Sequence, residues 1–193
     1  MHEPAVYLLR HGATEWSENG RHTGRTDIPL TSVGEAGARR AGALLADLRG
    51  DRPALVLSSP RVRATRTAEL AGLTVDETTE DLAEWDYGDY EGLTTPQIRE
   101  TVPGWTVWTH PCPNGETADA VGERAAKVIH RIRETDGDVV LIGHGHFSRV
   151  LVSTWIGQSA TFGVHFGLEA AGLSVLGDER GVPQVRRLNV PAR

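Results

Sequence analysis

The chain has 193 residues, 39% of them hydrophobic, and a formal net charge of −6. That length suits one domain, residues 1–193, with a core of useful size, and the acidic balance disfavours nonspecific binding to nucleic acid or to an anionic membrane. The single cysteine, Cys112, excludes an intramolecular disulfide and fits a reducing compartment; no apolar run is long enough to span a bilayer, and Met1–Pro4 lacks the basic and apolar regions of a secretory leader, so a cytoplasmic location is expected.

The first element is Ala5-Val6-Tyr7-Leu8-Leu9, short, uncharged and rich in strand formers, which reads as a buried strand. It ends in Arg10-His11-Gly12. In an open α/β sheet ligands bind beyond the carboxyl ends of strands, so a permanent planar cation that matches phosphate oxygens and a neutral imidazole able to act as a nucleophile stand where function is expected. A polar, glycine-rich loop follows to about Leu30, long enough to suggest a functional role. Its Trp16, Ser17, Asn19, Arg21, His22, Thr23 and Arg25 suit a polar pocket, although by themselves they read equally as scattered surface charge. Ser32 and Glu35 have capping-box spacing, and Ala38, Ala41, Leu44, Leu45 and Leu48 recur at helical spacing. Gly50–Pro53 closes that helix, and Leu55–Leu57 is a second short strand. Ser58-Ser59-Pro60 then turns into a helix opening with Arg61, Arg63 and Arg66 near its N-terminus, an end that favours anions.

Leu73–Val75 reads as a short strand. Glu77, Glu80, Asp81 and Glu84 form an acidic stretch of the kind that is usually a solvated face. Thr94 or Thr95 caps a short helix with Pro96 in its first turn. Trp105, Trp108 and His110 lie in an irregular segment; the tryptophans either roof a pocket or pack a satellite core. The longest helix is expected from Glu116 to about Glu134, with Val121, Ala125, Val128, Ile129 and Ile132 as its apolar stripe. Val139–Ile142 is a strongly apolar, central strand that runs into Gly143-His144-Gly145-His146, setting a second histidine at a strand end before a helix. Leu173–Leu176 and Gln184–Leu188 read as an antiparallel hairpin turning at Glu179-Arg180-Gly181. No repeat or linker breaks the chain. The expected fold class is α/β, a single-domain three-layer α/β/α sandwich whose central sheet is mostly parallel with an antiparallel strand near the C-terminus.

Four stretches together carry a family resemblance: Arg10-His11-Gly12-Ala13-Thr14-Glu15-Trp16 with Gly20-Arg21, Gly24 and Asp27; Arg63-Ala64 with Thr67-Ala68; Glu84 before Gly88-Asp89-Tyr90-Glu91-Gly92; and Gly143-His144-Gly145. They resemble the signatures of the histidine phosphatase superfamily, the phosphoglycerate-mutase-like group, over residues 5 to about 155. The resemblance implies two-step phosphoryl transfer: His11 as the nucleophile, Arg10, Arg63 and His144 neutralising the phosphoryl oxygens, and Glu84 as proton donor and later water activator. Attack by His11 requires that its other ring nitrogen donate to a backbone carbonyl. Ser17, Arg21, His22, Thr23, Gly24, Gly145 and His146 are the expected substrate-binding residues. Ser17 stands where the signature usually has asparagine, and His146 either adds to the pocket or caps its helix.

Glu91 reads as structural, a partner of backbone amides; Arg61 and Arg66 read as solvated or paired, with Arg61 able to reach a second anionic group. Trp16, His22, Trp105, Trp108, His146 and Phe147 suggest an open, partly aromatic site. The mutases of the group carry an extra segment with a lysine and an arginine pair, and Glu91 to Trp105 holds only Arg99, which favours a phosphatase. The expectation is a phosphomonoester hydrolase of small phosphorylated metabolites, either broad in specificity or dedicated to one sugar phosphate or nucleotide-pathway intermediate, without metal or cofactor, with no nucleic-acid or membrane partner, and compatible with a homodimer. The alternatives are a cofactor-dependent phosphoglycerate mutase and a noncatalytic phospho-ligand binder.

Overall fold

The computed structural model describes residues 4–52 and 54–192; Met1–Glu3, on which the expected lack of a leader partly rests, and Pro53 of the first inter-element turn lie outside them. Strand β1, Val6–Arg10, is followed by the one-turn helix α1, Glu15–Glu18, and by α2, Ser32–Arg49. Next come β2, Ala54–Ser58, α3, Val62–Leu70, and the two-residue β3, Glu77–Thr78. The helices α4, Thr95–Arg99, and α5, Ala118–Arg133, precede β4, Asp138–Gly143, and α6, Gly145–Trp155. A three-ten turn, Ala160–His165, leads to β5, Leu173–Glu179, and β6, Val182–Val190.

The six strands lie in the order β3-β2-β4-β1-β5-β6. β1 to β4 run parallel where they pair, while β5 is antiparallel to both β1 and β6. The fold is thus the expected three-layer α/β arrangement, and the period of two in the strands creates the layers. Val6, Leu8, Val139 and Leu141 face α5 and α6, in a core with Val121, Ala125, Val150 and Leu151. Tyr7, Leu9, Val140 and Ile142 face α2 and α3, packed on Ala41, Leu45, Ala64 and Ala68. Each leucine or isoleucine buried in this way contributes roughly 1.5–3 kcal/mol of hydrophobic stabilisation before entropy is counted. Among the described residues no helix is long and apolar enough to cross a membrane.

Four expectations change. The cap of α2 is Thr31, whose side chain accepts from the Gly34 amide; Ser32 is the first helical residue, and Glu35 instead pairs with Arg66 and Arg39. The loop after β1 contains a helical turn, α1, with a Thr14–Ser17 capping box. Leu73–Val75 is not a strand: Gly72, at φ 73°, turns the chain out of α3, and pairing with β2 begins only where Asp76 exchanges bonds with Val56. The longest helix is α2, with 18 residues against 16 for α5. The C-terminal hairpin forms as expected, with Arg180 and Gly181 both at positive φ, the backbone that a tight two-residue turn demands.

Candidate active site

The parallel pairing of β1 with β4 sets Arg10 opposite Gly143. The carboxyl ends of the two central strands therefore deliver Arg10-His11 and Gly143-His144 to one place. The His11 and His144 rings stand 5.1 Å apart, edge to face. The His11 amide donates to the Gly143 carbonyl and the His11 carbonyl accepts from Ala171, so the backbone carrying the histidine is held from both sides. Glycine is needed next. A methyl group at Gly12 would lie 2.4 Å from the Gly34 carbonyl oxygen, and one at Gly34 would lie 2.1 Å from that of Ala13. The N-terminus of α2 is pressed onto the His11 loop through these two bare backbones.

His11 Nδ1 lies 2.7 Å from the Gly12 carbonyl oxygen. A carbonyl can only accept, so Nδ1 carries the proton and Nε2 keeps its lone pair. Burial, reinforced by the positive charges of Arg10 and Arg63, pushes His11 well below the ordinary imidazole value of 6.5. This is the tautomer and the charge state that attack requires.

Arg10 donates through Nη1 to the Leu168 carbonyl. Its Nε is buried without a partner. The guanidinium passes close over Gly145, where a methyl group would stand 3.2 Å from Arg10 Cζ. The Glu84 carboxylate accepts from the amides of Trp85, His146 and Phe147, which fixes it against the start of α6.

Arg63 and His144 are fully buried. Arg63 spends its donors on the carbonyls of Thr23, Gly24 and Thr26 and on His144 Nδ1. His144 therefore bears its proton on Nε2, which donates to Ser59 Oγ at 2.7 Å. Burial together with the charge of Arg63 pushes His144 well below 6.5. The loop that Arg63 grips is held from its other side by Glu91, which accepts from the Gly24 and Thr26 amides; this is the structural role read for it. Arg61 is paired with Glu80, and Arg66 with Glu35 and Glu69.

A cavity of about 180 Å³ opens onto this group. Arg10, His11 and Glu84 line it, as do Ser17, Arg21, His22, Thr23, Gly145 and His146. Arg63, His144 and Gly24 do not; they lie behind its wall. Ser17 reaches the cavity with its hydroxyl already committed, accepting from the Thr14 amide and donating to the Thr14 carbonyl. The serine that replaces asparagine thus acts first as the capping partner of α1.

The expected aromatic character is corrected. Trp105, Trp108 and Phe147 are core residues, and Trp16 lies under Gly92 and Arg21. These rings support the polar lining from behind: Trp105 packs on His22 and Trp108 on His146. Burial pushes His22 down to about 4, with Glu91 opposing. His146 is also pushed well below 6.5, by burial and then by Arg149; its Nδ1 shares a 2.6 Å hydrogen bond with Tyr87.

Tyr87, Arg149 and Leu168 also line the cavity and were not among the residues singled out from sequence. A signal existed for two of them. Tyr87 stands three residues after Glu84, and Arg149 is at i+4 from Gly145, on the same face of α6.

Residues 6–191 match the sequence profile of the histidine phosphatase superfamily (branch 1). The chain is 49% identical over 187 residues to an acid phosphatase of Mycobacterium tuberculosis, covering 96% of this chain and 92% of that protein. It is 34% identical over 202 residues to a 2,3-bisphosphoglycerate-dependent phosphoglycerate mutase of Chelativorans sp., covering 95% and 92%. A solved structure of an open reading frame product from Mycobacterium tuberculosis superimposes with a TM-score of 0.95 at 45% identity, covering all of both chains.

Proposed function

This chain belongs to the histidine phosphatase superfamily (branch 1), and from that premise we propose that it hydrolyses phosphomonoesters of small metabolites through a phosphohistidine at His11. The observation that carries the reading is the 2.7 Å bond from His11 Nδ1 to the Gly12 carbonyl, which leaves Nε2 unprotonated in a cavity that Arg10 and Glu84 share. Nε2 attacks phosphorus in line. The ester P–O bond breaks as the N–P bond forms, and the leaving oxygen takes a proton from Glu84. Water then gives a proton back to Glu84 and attacks phosphorus, the N–P bond breaks, and orthophosphate and neutral His11 are released.

Arg10 neutralises charge on the phosphoryl oxygens in the transition state, a contribution of ~3 kcal/mol for a prearranged donor. Arg63 lies behind the cavity wall and acts on the same charge from there through its fixed positive charge, and His144 orients it by accepting from its Nε. Arg63 also fixes the 23–26 loop and, with burial and Arg10, keeps His11 neutral at the pH of the reaction. Thr23, Arg21, His22, Gly145 and His146 form the walls that receive the ester group.

The acid phosphatase likeness at 49% identity supports hydrolysis over the mutase alternative at 34%. So does the lack of an arginine pair between Glu91 and Trp105. The same reading puts the protein in the cytoplasm, in keeping with its buried Cys112 thiol, as a single domain over 1–193 without nucleic-acid or membrane partners, and with a homodimer as the assembly to test by sedimentation.

Release of phosphate from p-nitrophenyl phosphate tests the proposal. Wild type is expected to exceed His11→Ala by about 10³-fold or more in kcat. Equal rates favour a phospho-ligand binder. Isomerisation of 3-phosphoglycerate with a trace of bisphosphate, without net phosphate release, favours a mutase.

A further inference from the structure

The cavity holds a cation that phosphoryl transfer at His11 leaves without a role. Three guanidinium groups, those of Arg10, Arg21 and Arg149, line it against one carboxylate, Glu84. Glu84 is occupied by three main-chain amides, and among the described residues no carboxylate pairs with any of the three arginines. Arg149 is the one that the chemistry at His11 does not explain. It is half-buried, and such a cation is costly to hold without an anion. Yet it is rigidly built: its Nε donates to the Gly163 carbonyl at 3.0 Å and its Nη2 to that of Val164 at 2.9 Å, and Cζ lies 4.6 Å over the Trp108 ring. Those contacts leave the Nη1 amino group without an acceptor among the described residues, on a side chain that forms part of the cavity wall. The anchors come from the three-ten turn and the core, not from the strand ends that carry Arg10 and His11.

Resting on the phosphatase reading, we propose that Arg149 is a specificity residue that binds a second anionic group of the substrate, so that the preferred substrates are phosphomonoesters carrying another phosphate or a carboxylate. Arg21 is exposed at the mouth of the same cavity, its guanidinium over the Trp16 ring, and adds to the field that draws in a molecule with two anionic groups.

Matched substrates isolate the second charge. Phosphate release is measured from fructose 1,6-bisphosphate against fructose 6-phosphate, and from 3-phosphoglycerate against glycerol 3-phosphate, with p-nitrophenyl phosphate as the measure of hydrolysis itself. Wild type is expected to favour the member of each pair with a second anionic group by about tenfold in kcat/KM, mostly through KM, the scale of one charge-assisted contact. Arg149→Met is expected to lose most of that ratio and Arg149→Lys to keep part of it. A clamp that only holds the three-ten turn would lower all substrates together and leave the ratio unchanged.

The inference is overturned if p-nitrophenyl phosphate is turned over while the members with a second anionic group are not favoured, or if the preference survives in Arg149→Met. If that variant does not fold, the salt dependence of wild type decides. A ratio that shrinks with added sodium chloride supports the ionic contact, and a constant ratio rejects it. If no ester is hydrolysed by wild type, the phosphatase reading fails first and takes this inference with it.

Discussion

At the scale of single residues, the site works by deciding which nitrogen is free. The Gly12 carbonyl fixes the proton of His11 on Nδ1, and burial beside Arg10 and Arg63 keeps the ring neutral well below pH 6.5. On the proposed roles, an acidic medium leaves His11 unprotonated until the pH is far below 6.5, while Glu84, as the proposed general acid, needs its proton to expel a leaving oxygen. Hydrolysis of an alkyl phosphate is expected to be faster at mildly acidic than at alkaline pH, with no loss of rate on lowering the pH through 6.5. Glu84→Gln is expected to reduce kcat for such a substrate by about 10²-fold or more, and that for p-nitrophenyl phosphate less, because a nitrophenolate leaves without much help. A rate that falls on acidification through pH 6.5 contradicts the assignment of His11, and an alkaline optimum contradicts that of Glu84. The placement of Arg10, His11 and His144 was legible in the sequence because each stands at a strand end, and Arg63 and Glu84 stood in short signatures. The capping role of Ser17 was not, since it depends on the Thr14 backbone folding back by one helical turn, a geometry that no spacing reports.

At the scale of elements, what positions His11 is the contact of α2 with the loop after β1. Two glycines from different elements make the contact: a side chain on Gly12 would strike the Gly34 backbone, and one on Gly34 would strike the Ala13 backbone. Gly34→Ala is expected to cost about 2–3 kcal/mol of stability, the scale of overpacking against a backbone that has nowhere to go, and to lower kcat by displacing the 11–14 loop. Urea denaturation with parallel assays checks both; unchanged stability would mean that the contact is soft. Strands β1, β2 and β4 and helices α2, α5 and α6 were readable because hydrophobic period matches element type and the same residues fill the two cores. Leu73–Val75 misled because apolar residues leaving a helix look like a strand, whereas the edge pairing is set by Asp76 bonding to Val56. The tryptophans stayed undecided in sequence for a related reason. Trp105 and Trp108 are apolar in either role, and only packing shows them behind the histidines and not over the cavity.

At the scale of the whole molecule, the fold holds several imidazoles neutral at once. His11, His22, His144 and His146 are all pushed below 6.5, His22 to about 4. The unfolded chain restores the ordinary value, so below pH 6.5 it binds protons that the folded protein does not. Stability is complete above pH 6.5 and is lost as the pH falls from there toward the folded values. The Tm is expected to drop by several degrees between pH 7 and pH 5.5, in the range where hydrolysis is expected to stay fast; a Tm that is flat or rises on acidification rejects the neutral cluster. The cluster exists because the sheet brings strand ends 133 residues apart in sequence into one register, Arg10 beside Gly143. The central claim is that the phosphoryl group passes through His11 Nε2. It is tested most directly by quenching the enzyme in alkali during turnover and locating the phosphoryl group by peptide mass spectrometry. The account predicts an acid-labile, base-stable phosphoryl group on His11 that forms within the first turnover and is missing in His11→Ala. No phosphoenzyme in the first turnover, or one on any other residue, would contradict it.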